Sequence, residues 1–347
     1  MLKLLGHTVQ EDGEIWLLSS AAEIGFRVSG ATRLVMKLEA DDTADNPALE
    51  PLVPRFEILM DGNKVRDIRM TEKALSVTVF DGAEKRDAEI RLIKLSECTQ
   101  SLMALQGIDT DGAITPLPAR PLKMEFIGDS ITCGYGVEGK DVEAPFTTAA
   151  ENAGKAYAFL TAEELNADVV MTSFSGYGIV SGYTPDPAER NEKELVPTYY
   201  EREGMNLFRL PSGKRVQDIR RDFEAFQPDY IVMNLGTNDL SWCGTDGERG
   251  RLFVRKYADF LKTVRRHNPA ARILCALGVM GTGLNQQMEQ AVRDYCRETG
   301  DGEIRVLLLE EQNVARDGLG SYYHPSETTQ RLLAETITDA IREWMKQ

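Results

Sequence analysis

A chain of 347 residues exceeds what one hydrophobic core usually serves, so two domains are expected. Hydrophobic residues make up 42% and charged residues 27%, the proportions of a globular protein and not of a disordered or fibrous one. A net charge of -15 argues against nucleic acid and anionic membrane surfaces as partners and leaves neutral or cationic ones.

Met1 to Gly13 is too short and too soon polar for a signal peptide, and no stretch reaches the length of a membrane span. The expected location is cytoplasmic, with secretion open if a leader was removed. Cys98, Cys133, Cys243, Cys275 and Cys296 form no C-x-x-C pair and, being five, cannot all be bridged.

Apolar residues then alternate at period two: Phe26 and Val28, Leu34 and Met36, Phe56 and Ile58, and Leu75, Val77 and Val79. Asp12-Gly13, Asp61-Gly62 and Asp81-Gly82 read as turns between them. Short strands without a helical period predict an all-β jelly-roll sandwich over residues 1–115, with 41–54 as its longest loop. Pro116, Pro118 and Pro121 stiffen the connector that follows.

From 116 to 347 strand and helix alternate, which predicts a three-layer α/β domain with a mostly parallel five-stranded sheet. The expected strands are 122–127, 169–173, 230–235, 273–277 and 304–309; the expected helices lie near 155–166, 217–226, 251–266, 286–299 and 327–346. In the last helix Leu333, Ile337, Ile341 and Met345 share a stripe, with Ser326 as N-cap. Segment 182–215, rich in Pro, Glu, Arg and Tyr, is a long insertion able to wall a site.

Four short motifs fall just past predicted strand ends or before the last helix: Gly128-Asp129-Ser130, Ser175-Gly176-Tyr177-Gly178, Gly236-Thr237-Asn238-Asp239 and His324-Pro325. Ligand sites of open α/β sheets sit at that edge. Together the motifs supply a hydroxyl nucleophile (Ser130), backbone donors (Ser130 and Gly176), an amide donor (Asn238) and a base (His324), the parts that acyl transfer through an oxyanion requires.

Plainer readings stand beside these. Ser130 could only cap a helix, Asn238 could only form a turn, and Asp129 and Asp239 suit turn-stabilising acceptors better than catalytic acids. Cys133 is a small buried hydrophobe or a thiol nucleophile. Tyr135, Tyr177, Trp242, Tyr322 and Tyr323 adjoin the motifs and form either a sugar-stacking floor or ordinary core. Gly134 to Gly139 matches G-x-G-x-x-G but starts seven residues past its strand and opens no apolar helix, so no dinucleotide cofactor is expected. With three histidines and no zinc signature, no metal is expected either.

The four motifs, in this order, resemble those of SGNH (GDSL-type) hydrolases. With the β domain ahead of them, they are similar to carbohydrate esterase family 2. The resemblance implies deacetylation of sugars, with Ser130 and His324 as the catalytic pair and Ser130, Gly176 and Asn238 around the oxyanion. Related hydrolases usually carry Asp three residues before the His, where this chain has Ser321. Either a backbone carbonyl orients the imidazole, as family 2 implies, or Asp317 does. Two alternatives remain at this level: an esterase, thioesterase or lysophospholipase for non-sugar acyl groups, and a carbohydrate-binding protein with a weakened site.

Overall fold

The computed structural model describes residues 2–347. Its first third, to Pro116, is one antiparallel sheet of nine strands. Two strands dominate it, Glu23–Ala40 and Ala74–Lys94, which pair along most of their length with register shifts between Val28 and Val35. Such bulges bend a strand pair. Before the bend Glu23–Ala40 also holds Lys3–Leu5 and Ala113–Pro116, and after it Met103–Thr110. The sheet thereby wraps a core of Phe26, Leu34, Met36, Phe56, Ile90 and Leu92, giving the expected β-sandwich.

Asp12-Gly13 and Asp61-Gly62 are tight hairpin turns with positive φ at both residues (52° and 86°, 51° and 78°). This is the backbone that matches the twist of the flanking strands. Asp81-Gly82 is not a turn. It lies inside Ala74–Lys94, where Asp81 stays paired with Arg33, and the irregularity is absorbed as a bulge within one long ladder.

The remaining two thirds carry a five-stranded, wholly parallel sheet in the order Ala167–Ser173, Leu122–Gly128, Tyr230–Asn234, Arg272–Leu277, Ile304–Leu308. Helices Tyr157–Glu164 and Glu327–Met345 cover one face, and Gly247–His267 and Asn285–Thr299 the other. Ser326 caps the last helix by accepting from the Thr329 amide, and Leu333, Ile337 and Ile341 are buried while Met345 emerges at the frayed end.

The helix expected near 217–226 is absent, and only the single turn Val216–Asp218 forms. Its backbone is used elsewhere: the Arg221 amide donates to the Glu201 carbonyl, and the Ile219 carbonyl accepts from the Glu203 amide. Extended in this way, the chain delivers the Arg221 guanidinium to Glu125, fully buried on the first parallel strand, at 2.6 Å. Glu125 also accepts from Thr172 Oγ1 at 2.7 Å. Arg221→Met strands that carboxylate without a countercharge and is expected to cost about 3–5 kcal/mol. A denaturant midpoint shift well under half of that would show the pair to be dispensable.

Candidate active site

Gly128 closes the first parallel strand, and the chain turns at once into the short helix Ser130–Cys133. The N-cap is Asp129, whose carboxylate accepts from the Ile131 amide at 3.0 Å. Ser130 is therefore free of the capping role that its residue type suggests. Only glycine fits at 128, because a Cβ there would lie 2.0 Å from Thr132 Oγ1. The turn sets Ser130 at the carboxyl edge of the sheet.

His324 reaches this edge from the segment before the last helix. Its Nε2 lies 2.9 Å from Ser130 Oγ, and its Nδ1–H donates to the Tyr322 carbonyl at 2.8 Å. The second bond fixes the tautomer that leaves Nε2 as acceptor. The carbonyl is presented by an unusual backbone: Tyr322 (φ 53°, ψ 40°) and Tyr323 (φ 60°) are both left-handed. Asp317 takes no part, since its carboxylate is held by Arg316 in two bonds of 2.7 Å.

The glycine-rich stretch after Ser130 docks the His-bearing segment. The Ser321 amide donates to the Gly136 carbonyl and the Tyr322 amide to the Val142 carbonyl, each at 3.0 Å. A Cβ on Gly139 would lie 1.7 Å from Ser321 Oγ, so this close approach demands glycine. The G-x-G-x-x-G pattern serves loop packing.

Asn238 spans the remaining two motifs. Its Nδ2 donates to the Tyr177 carbonyl at 2.9 Å and to Asp129 Oδ2 at 3.3 Å, so the amide sits between the Ser130 turn and the Gly176 loop. That loop is pinned by Asp239, whose carboxylate accepts from the amides of Ile179, Val180 and Ser181. It is also held from the first half of the chain, where Glu97 Oε2 accepts from the Ser175 amide at 2.8 Å. No sequence signal marked Glu97, because its role exists only across 78 residues of separation.

Burial dominates the electrostatics. It raises Asp129 to about 7 and Asp239 to about 6, even though backbone amides pull both the other way. It lowers His324 to about 4, against the upward pull of the Tyr322 and Ser321 carbonyls. The Cys133 thiol is pushed well up by burial and by Glu97, which removes it as a nucleophile. Glu97, Cys133 and Glu151 bring their ligand atoms within 4.8 Å of one another. Burial, with Glu97 next, also raises Glu151.

Of the aromatic candidates, Tyr177 is buried against Phe174 and Tyr199 as core. Trp242 is flanked by the guanidinium groups of Arg190 and Arg249. Tyr135 packs on His324 itself, with 4.4 Å between ring centroids. Tyr322 and Tyr323 stand in solvent, as does Tyr183, whose amide donates to the Gly176 carbonyl.

A serine turn at the edge of a parallel sheet, a histidine from the last loop within 2.9 Å of it and an amide-lined third loop have the arrangement of an α/β-type serine hydrolase site. The GDSL-like lipase/acylhydrolase model matches residues 126–332, and the chain belongs to that family. It is 32% identical, over 83% of its length, to the cellulase/esterase CelE of Acetivibrio thermocellus, of which it spans 34%. It is 29% identical, over 73% of its length, to an acetylxylan esterase / glucomannan deacetylase of Cellvibrio japonicus, spanning 69% of that protein. A family two carbohydrate esterase from Clostridium thermocellum, solved with cellohexaose, superposes with a TM-score of 0.83 at 27% identity, covering 100% of this chain and 99% of that one.

Loss of one oxyanion donor typically costs ~2.7–4 kcal/mol of transition-state stabilisation. If Asn238 supplies such a donor, Asn238→Ala lowers kcat on an acetyl ester by about 100- to 1,000-fold while KM changes little. A drop below tenfold would remove Asn238 from the oxyanion site.

Proposed function

We propose that this chain is a serine esterase that removes O-acetyl groups from sugars or oligosaccharides. Ser130 Oγ attacks the acetyl carbonyl carbon as its proton passes to His324 Nε2, and the carbonyl π pair moves onto oxygen, facing the Ser130 and Gly176 amides and Asn238 Nδ2, which releases its longer, 3.3 Å bond to Asp129 to meet it. Collapse expels the sugar hydroxyl, which takes the proton from His324. Water then repeats the sequence on the acetyl-enzyme and frees acetate. The observation that carries this reading is the pair of bonds on one imidazole, 2.9 Å to Ser130 Oγ and 2.8 Å to the Tyr322 carbonyl.

The names of the relatives favour carbohydrate over lipid substrates. Exposed rings at Tyr322, Tyr323 and Tyr183 are surfaces on which a sugar can stack. A reducing, cytoplasmic setting accords with five free cysteines, four of them buried.

Hydrolysis of 4-nitrophenyl acetate should exceed that of the butyrate and octanoate esters, and acetate should be released from acetylated xylo-, manno- or glucosides. Ser130→Ala and His324→Ala should each lower the rate at least about a thousandfold. Faster octanoate cleavage would move the substrate to longer acyl chains, and sugar binding without turnover would make the chain a binding protein.

The pH profile follows from the depressed base. An imidazole with its pKa lowered to about 4 stays unprotonated, and able to accept the Ser130 proton, well below the usual histidine range. The acid limb of kcat/KM should therefore fall near pH 4, and a limb at the ordinary histidine value near 6.5 would contradict the burial of this group.

A further inference from the structure

We propose that Tyr135 is a positioning residue for His324, its ring face both fixing the imidazole plane and stabilising the imidazolium that forms during acyl transfer. The inference rests on the esterase reading above.

Tyr135 follows the nucleophile turn directly, its amide donating to the Ser130 carbonyl at 3.1 Å after Gly134 turns left-handed at φ 76°. Its ring lies 4.2 Å from Phe146, nearly parallel at 18°, and 4.4 Å from the His324 ring, tilted by 36°. Two rings at such distances cannot share one face, so Tyr135 is held between them. Phe146 clamps it from behind.

The demand on this contact comes from what surrounds the imidazole. When Ser130 Oγ gives up its proton, His324 Nε2 gains it and the ring acquires a full positive charge. In serine hydrolases with a triad an adjacent carboxylate balances that charge. Here Nδ1–H meets only the neutral Tyr322 carbonyl, and Asp317 is tied to Arg316. Beyond burial, the groups that bear on the titration of His324 are the backbone at Tyr322 and at Ser321, with no charged side chain among them. The other carboxylate of the nucleophile turn, Asp129, faces the Ile131 amide and Asn238. An aromatic face attracts a cation within about 6 Å, more strongly where water is excluded. The Tyr135 phenol itself stays neutral, its pKa pushed up by burial.

Tyr135→Leu keeps apolar bulk and discards the π face. It should lower kcat roughly tenfold, with little change in KM, and move the acid limb of kcat/KM to still lower pH, because imidazolium has lost its support. Tyr135→Phe should restore most of the rate. A graded series, Tyr135→Phe with successive ring fluorines, alters shape little and weakens the face stepwise, so log kcat should decline with each fluorine.

A flat fluorine series, or a Leu variant whose acid limb stays in place or rises, would overturn the proposal and leave Tyr135 as packing alone. If the wild type turns over no ester, the esterase reading fails instead. The contact is then still tested by NMR titration of the three histidines in wild type and Tyr135→Leu, where the His324 pKa must fall in the variant.

Discussion

The bond from His324 Nδ1–H to the Tyr322 carbonyl decides which nitrogen faces Ser130, and with it whether the pair can transfer a proton at all. It exists because Tyr322 and Tyr323 both hold left-handed backbone angles, each a strain of about 1–3 kcal/mol for a residue other than glycine. Such strain persists only where the surroundings over-determine it. Here the amides of Ser321 and Tyr322 are taken by the glycine-rich loop, the Gly320 amide returns to the His324 carbonyl, and Gln312 donates to the Tyr323 carbonyl. A neutral carbonyl, with no carboxylate beside it, gives the imidazole its direction, while burial takes away its usual basicity.

The loops around Ser130 and Gly176 also lean on the β sheet. Lys94, fully buried at the end of the longest strand, donates from Nζ to the Ser96 and Glu97 carbonyls and so shapes the segment from which Glu97 reaches Ser175. Arg55 extends the same seam, bonding Asp67 within the sheet and the Ala149 and Glu151 carbonyls beyond it. His7 adds a further tie through Glu203 and Thr172.

Much of this was legible in the residue pattern. Period-two alternation located the β domain, and apolar runs placed all five parallel strands to within two residues, because burial on both faces leaves an unambiguous signal in the central strands and the edge strand Ile304–Leu308, though partly exposed, keeps an apolar run. The four motifs announced themselves through residue types that only a turn next to a ligand site needs. What escaped was tertiary. The 217–226 segment has helical propensity but spends its backbone on residues 201–203, and Asp81-Gly82 has turn chemistry but is overruled by a long ladder. The place of Tyr135 on the imidazole, and of Glu97 under Ser175, depends on contacts that no local spacing encodes.

The acceptor for the Ser175 amide belongs to the chain leaving the β sheet, so replacing that sheet alone would leave the amide without its partner. Only residues 117–121 separate the last strand of that sheet from the first parallel strand, so the connector leaves little slack across the seam.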